Sequence, residues 1–386
     1  MAVTEVTVES WGSRLGGAFK GILAGIVLFV LAFPLLFWNE GRAVRRARAL
    51  EKGAASVVAV SAEKVQSENE GKLIHVSGML ATDDTLVDPV LGITIKGIRL
   101  KREVEMYQWK EKSSTKSEKQ LGGSVKKTTV YTYEKCWSSS LIDSSSFREA
   151  GHNNPAAFPL PSETWYAADV RLGAFTLPRD MIRRIGAAEP CAFPADYKLP
   201  AAVNGRIENG MIVIPAVQGA ASAAPAAPQI GDVRITLTQI LPHELSVVAQ
   251  QIKGSFCAYP VGQETISLMA DSIQSAELMF SHAQSANNVL TWVLRIVGFL
   301  MMFFGLSMVL KPLSVLTDVL PFLGDLVEMG SSLVAFLIAL PCALVVIAVA
   351  WLFFRPVLGI ALLVLAGAAV VCLIRIRKRK KAEKAA

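Results

Sequence analysis

Four apolar runs decide most of what this 386-residue chain can become. Gly21–Trp38 holds 18 residues without a charge, Ser331–Phe354 holds 24 and Pro356–Ile374 holds 19. At about 1.5 Å of helix rise per residue these reach roughly 27–36 Å, enough to cross a hydrocarbon core of about 30 Å. The remaining run, Val289–Leu310, carries Arg295 about one turn inside its start. Most of the polar mass lies between the first run and the second. The pattern predicts a membrane protein with four transmembrane helices and a large β-rich (α+β) extracytoplasmic domain between helices 1 and 2. The expected layout is an N-terminus at 1–15, helices at 16–38, 289–310, 331–354 and 356–374, and a domain at 39–288. An amphipathic segment at 311–330 and a basic tail at 375–386 are placed with the N-terminus on the cytosolic side. Leu36-Phe-Trp-Asn-Glu40 is not a small-residue cleavage site, so the first run reads as an uncleaved anchor.

Charge sharpens this picture. The formal net charge is +7, but the tail alone holds Arg375, Arg377, Lys378, Arg379, Lys380, Lys381 and Lys384 against Glu383, which is seven minus one, or +6. The basic balance therefore belongs to a short tail and not to a binding face, which argues against nucleic acid as a partner. Arg375, Arg377, Lys378, Arg379, Lys380 and Lys381 are candidates for anionic lipid headgroups, or act only as a topological stop. Arg42, Arg45, Arg46 and Arg48 follow the first run at helical spacing; they either reach lipid phosphates or form a solvated helical face.

Between the runs the period changes from helix to strand. In 98–109, Ile98, Leu100, Val104 and Met106 share one face and Arg99, Lys101, Glu103 and Glu105 the other, with Arg102 as the exception on the apolar side. Thr128–Trp137 is rich in β-branched and aromatic residues and predicts a second strand. The charged, serine-rich stretch Lys110–Val125, with Gly122-Gly123, predicts an exposed hairpin loop. Further strands are expected at 72–78, 168–172, 211–215, 232–239 and 244–250, a turn at Asp88-Pro89, and helix over 268–280. The Ala/Pro-rich stretch 216–229 predicts a linker interrupting one domain.

Signals of chemistry are sparse. His75, His152, His243 and His282 are isolated, and Cys136, Cys191 and Cys257 are widely spaced, so no catalytic residue, cofactor or metal site is assigned. At most one disulfide could join those three cysteines. Asp83, Asp84 and Asp143 read as turn or cap residues. Two boundary charges remain. Arg295 either snorkels to the headgroups or pairs within the helix bundle, and Arg355-Pro356 reads as the turn of a helical hairpin. Small residues at Gly298, Gly305, Ala343, Ala348, Ala350, Ala361 and Ala366 allow close helix approach, between copies or within one chain.

Five motifs in register call up a family. They are Phe37-Trp-Asn-Glu-Gly-Arg-Ala43, Glu68-Asn-Glu-Gly-Lys-Leu-Ile-His-Val-Ser-Gly78, Arg102-Glu-Val-Glu-Met-Tyr-Gln-Trp109, Gly151-His-Asn-Asn-Pro155 and Trp351-Leu-Phe-Phe-Arg-Pro356. Together they resemble the transmembrane protein forty-three family, also called LUMA. The resemblance implies a lumenal domain between spans one and two and self-association. In a nucleated source it implies residence in the endoplasmic reticulum and inner nuclear membrane with emerin and lamins. In a bacterial source the corresponding place is the inner membrane, with a periplasmic domain. The expected function is a non-enzymatic, homo-oligomeric membrane scaffold that meets anionic lipids. A lipid- or peptide-binding module is the first alternative and a membrane enzyme the second.

Overall fold

The computed structural model describes residues 3–193, 197–216, 227–357, 359–361 and 364. They fall into two compact units: residues 1–6, 52–116 and 128–281, and residues 7–51, 117–127 and 282–386.

The first unit is built around two large sheets. In one, Arg99–Lys119 lies between Val125–Ser138 and Val233–Ile240, and Met211–Ile214 and Arg206–Glu208 continue the order. The register sets Val104 against Ile235 and Arg102 against Leu237. Leu100, Val104, Met106, Ile212, Ile235 and Leu237 form its core, as the alternation at 98–109 requires. In the other sheet, Leu73–Ala81 pairs antiparallel with Glu244–Ile252, with Val76 opposite Val247. Its core gathers Ile74, Val76, Leu172, Phe175, Leu245 and Val247 with Met181 and Ile182 of a short helix, Arg179–Arg184.

Arg102, the exception in the strand pattern, is fully buried and earns its place by pairing. Its Nη1 donates to both carboxylate oxygens of Asp88 at 2.6 and 2.7 Å, and its Nε donates to the Pro161 carbonyl at 3.1 Å. Asp88 Oδ1 also accepts from the Val90 and Leu91 N–H groups, so the Asp88-Pro89 turn and the buried cation fix one another. The other turn acids follow the sequence reading. Asp143 caps the Ser144–Ser146 turn, and Asp84 accepts from the Ala168 and Asp169 N–H groups.

The second unit contains three long helices: α1 (Trp11–Ser56), α3 (Ala276–Thr317) and α4 (Pro321–Phe354), α2 being the Arg179–Arg184 helix of the first unit. All three are long and apolar enough to cross a membrane. Ala32, Leu36, Met302, Ala339 and Ala343 make their shared core. Contact is closest at two glycines. A Cβ on Gly25 would lie 2.6 Å from the Gly305 carbonyl oxygen, and one on Gly305 would lie 2.7 Å from that of Gly25. Gly298 admits Leu36 in the same way.

Several sequence expectations change. The strands of the long hairpin run to Lys119 and restart at Val125, so the expected Lys110–Val125 loop shrinks to 120–124. A ribbon with charge on both faces shows no period of two, which is why its pattern is silent. Leu268–Ala270 is a strand, and helix begins only at Ala276. The 311–330 segment is no separate element: it is the end of α3 and the start of α4, joined across 318–320. Most of the fourth expected span, 356–374, and of the 216–229 linker lies outside the described residues.

Candidate functional site: polar clusters of the helix bundle

Polar side chains are expensive between membrane helices, so their placement is the first thing to examine. Glu40, on α1 two residues beyond the apolar run, is fully buried. Arg295 Nε and Nη2 donate to its two oxygens at 2.6 and 2.9 Å, and Trp351 Nε1 donates to Oε2 at 2.8 Å. The Arg295 guanidinium also lies 4.7 Å from the ring centre of Trp292 and 5.7 Å from that of Trp351. One carboxylate thereby ties together all three helices. The bidentate geometry is the strongest form such a pair can take.

Two residues further along α1, Arg42 donates to Asn287 Oδ1 at 2.9 Å, Thr291 Oγ1 at 3.0 Å and Asn39 Oδ1 at 3.2 Å. Asn39 and Asn287 return the bonds to backbone: Asn39 Nδ2 donates to the Thr291 carbonyl and Asn287 Nδ2 to the Ala43 carbonyl, each at 3.0 Å. Spacing explains the seam. Asn39 and Arg42 are i, i+3 on α1, and Asn287 and Thr291 are i, i+4 on α3, so each pair shares one helix face.

A second cluster closes the other end of the bundle. The hairpin tip, 117–127, meets the start of α1 and the α3–α4 junction. Trp11 Nε1 donates to the Val315 carbonyl at 2.8 Å, and the Gly122 N–H to the Val319 carbonyl at 3.1 Å. Arg14 bonds the Gly123 carbonyl at 2.6 Å and pairs with buried Asp318. Lys119 Nζ lies 2.7–3.0 Å from Asp325, Asp318 and Glu328. Burial alone would lower the Lys119 pKa, but the bonds to Asp325, Asp318 and Glu328 outweigh it and hold the ammonium above the ordinary lysine range. Gly122 and Gly123 are needed because both have positive φ, and a Cβ on Gly123 would collide with Trp11. Groups in contact share a compartment. The tip therefore lies at the same end of the helix bundle as the start of α1 and the α3–α4 junction.

The sequence candidates divide accordingly. Of the two readings of Arg295, the structure has the paired one. Arg42 is built into the seam, Arg48 donates to the Phe354 carbonyl at 2.9 Å, and Arg45 and Arg46 are half-buried on α1. Arg355 is the residue at which α4 ends, its N–H donating to Trp351. The tail cations from Arg375 to Lys381 lie outside the described residues. Gly298, Gly305, Ala343 and Ala350 are consumed in packing within the chain, while Ala348 and Ala361 face outward and Ala366 is not described. Glu40 and Asp318 were not singled out by sequence. The signal for Glu40 was one acid at the end of an apolar run with one base, Arg295, inside another.

Nothing reactive converges in either cluster. Among the described residues no group of His, Cys, Asp and Glu could hold a metal ion, and Cys136, Cys191, Cys257 and Cys342 are free thiols. His75 bonds the Gln274 carbonyl, and His152 stacks on Tyr133 with ring centres 4.0 Å apart. Tyr131, Tyr133 and Trp137 are half-buried; Trp137 lies against Tyr107 and beneath Arg234, so the three do not form a bare aromatic face.

The family described as Transmembrane protein 43 matches residues 106–356. Transmembrane protein 43 of Rattus norvegicus is 35% identical over 356 residues, covering 89% of this chain and 86% of the rat protein. The Homo sapiens protein of that name is 33% identical over 384 residues, 96% of this chain and 93% of its own. The Drosophila melanogaster homolog is 30% identical over 362 residues, 90% and 92%. No solved structure matches.

Proposed function

The chain belongs to the transmembrane protein 43 family, and from that membership we propose that it works as a non-enzymatic membrane scaffold that self-associates and organises membrane regions around its β-rich domain. The observation that carries this reading is the saturation of the polar seam. Glu40 bonds Arg295, and Asn39, Arg42, Asn287 and Thr291 bond one another, which suits a rigid pillar better than the chain of free acids an ion-coupled carrier uses. With Gly298, Gly305, Ala343 and Ala350 packed inside one chain, the surface available for copies is the outward apolar face of the helices together with the domain. The basic tail supports a cytosolic C-terminus. Four spans then put residues 7–14 on the cytosolic face.

Differently tagged full-length copies, expressed together and extracted in mild detergent, are expected to co-purify. A chain ending before Val289 is expected to do so less well. A monomer mass in nanodiscs, with no co-purification of full-length copies, overturns the scaffold.

A further inference from the structure

A cavity of about 640 Å³ opens among the start of α1, the end of α3, the start of α4 and residues 125–127, all within the helical unit. That volume lies within the roughly 300–1,000 Å³ of clefts that hold small molecules. Its lining mixes two chemistries. Ala18, Phe304 and Met308 are apolar; Lys127, Lys311, Glu9 and Glu328 are charged, as is Arg14, whose charge is taken up by Asp318.

Both signs of charge are present and remain accessible. Lys311 Nζ donates to Glu328 at 2.6 Å and Lys127 Nζ to Glu9 at 2.7 Å. An ammonium carries three donors, so each lysine keeps capacity for a further acceptor. The two lysine side chains are 46% and 42% exposed, and Glu328 and Glu9 are 41% and 34% exposed. Ser307 Oγ, also in the lining, is shielded from solvent and has no hydrogen-bond partner. A buried hydroxyl without a partner is costly unless a ligand or water supplies one.

We propose that this cavity binds a single glycerophospholipid through a phosphoethanolamine headgroup. The phosphate meets Lys127 and Lys311, and the primary ammonium donates to Glu9 and Glu328. One acyl chain lies along Phe304 and Met308. A purely anionic head would set its charge against both carboxylates, whereas a zwitterionic head matches cation to anion at each end. This inference stands whether or not the chain self-associates.

The test uses two neighbouring glycines. A Cβ at Gly16 or at Gly17 meets no atom within 4 Å, so both positions on α1 accept a larger residue, but only Gly17 lines the cavity. Full-length wild type, Gly17→Leu and Gly16→Leu are purified in mild detergent and reconstituted with phosphatidylethanolamine or phosphatidylglycerol, and retained lipid is counted by native mass spectrometry. Wild type and Gly16→Leu are expected to retain one phosphatidylethanolamine per chain. Gly17→Leu is expected to lose retention roughly tenfold, as when an added side chain occupies the ligand's volume. Glu9→Gln is expected to shift preference toward phosphatidylglycerol. No retained lipid in wild type, equal retention by Gly17→Leu, or a wild-type preference for phosphatidylglycerol overturns the proposal.

Discussion

Glu40→Gln tests whether one carboxylate holds the three helices together. The side chain is fully buried and accepts from Arg295 twice and from Trp351 once. Three neutral bonds at the average measured between membrane helices, about 0.6 kcal/mol each, would give about 2 kcal/mol. Removing one partner of a buried ion pair costs about 3–5 kcal/mol, because the other charge is left uncompensated. Arg295 is 14% exposed and keeps its contacts with Trp292 and Trp351, which softens that penalty. The expected loss for Glu40→Gln is therefore about 2–4 kcal/mol. Trp351→Phe, which removes one bond and keeps the ring, is expected to cost about 0.5–1.5 kcal/mol. The assay is reversible unfolding in mixed micelles, run on both variants, on Arg295→Gln and on the Glu40→Gln/Arg295→Gln double variant. Coupling of at least about 1 kcal/mol between positions 40 and 295 is expected. A Glu40→Gln loss below about 0.5 kcal/mol, or strict additivity in the cycle, would refute the ion pair as the tie between helices.

Three further outcomes can be measured. Gly305→Ala sets a methyl 2.7 Å from the Gly25 carbonyl oxygen, so α1 and α3 must separate, with an expected loss of about 1–3 kcal/mol in the same unfolding assay. Asp84 accepts from the Asp169 and Ala168 N–H groups, which hold its carboxyl below the ordinary aspartate range. Its contribution to stability is therefore present above the unfolded pKa and lost as pH falls through the lower folded value, so Asp84→Asn should flatten that part of the acid unfolding curve; an unchanged curve counts against the turn. Single cysteines placed at Ser10, Leu121 and Leu320 on a cysteine-free background should react with an impermeant maleimide from the same side of sealed vesicles, and labelling of Leu121→Cys from the opposite side would break the link between the hairpin tip and the α1 start.

How far the sequence reached depended on whether a burial pattern existed to be read. Val104 and Met106 alternate with Glu103 and Glu105 because one face of their strand meets a core, so the strand was legible. Residues 110–119 have no core on either face, and without that contrast a strand and a polar loop look alike. The three described helices were visible as apolar runs, but their ends were not. The 39–56 segment of α1 and the 276–288 segment of α3 are polar, and the seam bonds that help hold them as helix come from residues about 250 positions apart. Arg102 shows the same limit: its position marked it as an anomaly, and only the fold supplies Asp88 as the reason. At the candidate site, Arg295 was visible because it interrupts an apolar run. Glu40 sits where headgroup-facing charges are ordinary, so nothing local marked it as buried.

The clasp at the hairpin tip imposes an order on assembly. Lys119 precedes Asp325 by 206 positions, and Arg14 precedes Asp318 by 304. At a synthesis rate of about 5–20 residues per second, the tip waits on the order of 10–40 s for its acids to be made. During that interval Trp11, Arg14 and Lys119 lack their final partners, and the contact that closes last spans most of the chain. Closure also requires that α3 has been inserted so that its end emerges beside the tip. A chain that inserts α3 the wrong way round cannot bring Asp318 to Lys119 or Arg14, however well its sheets have folded. Correct insertion of α3 is thus a condition for closing the clasp, and an open clasp leaves Lys119 and Arg14 without these carboxylate partners.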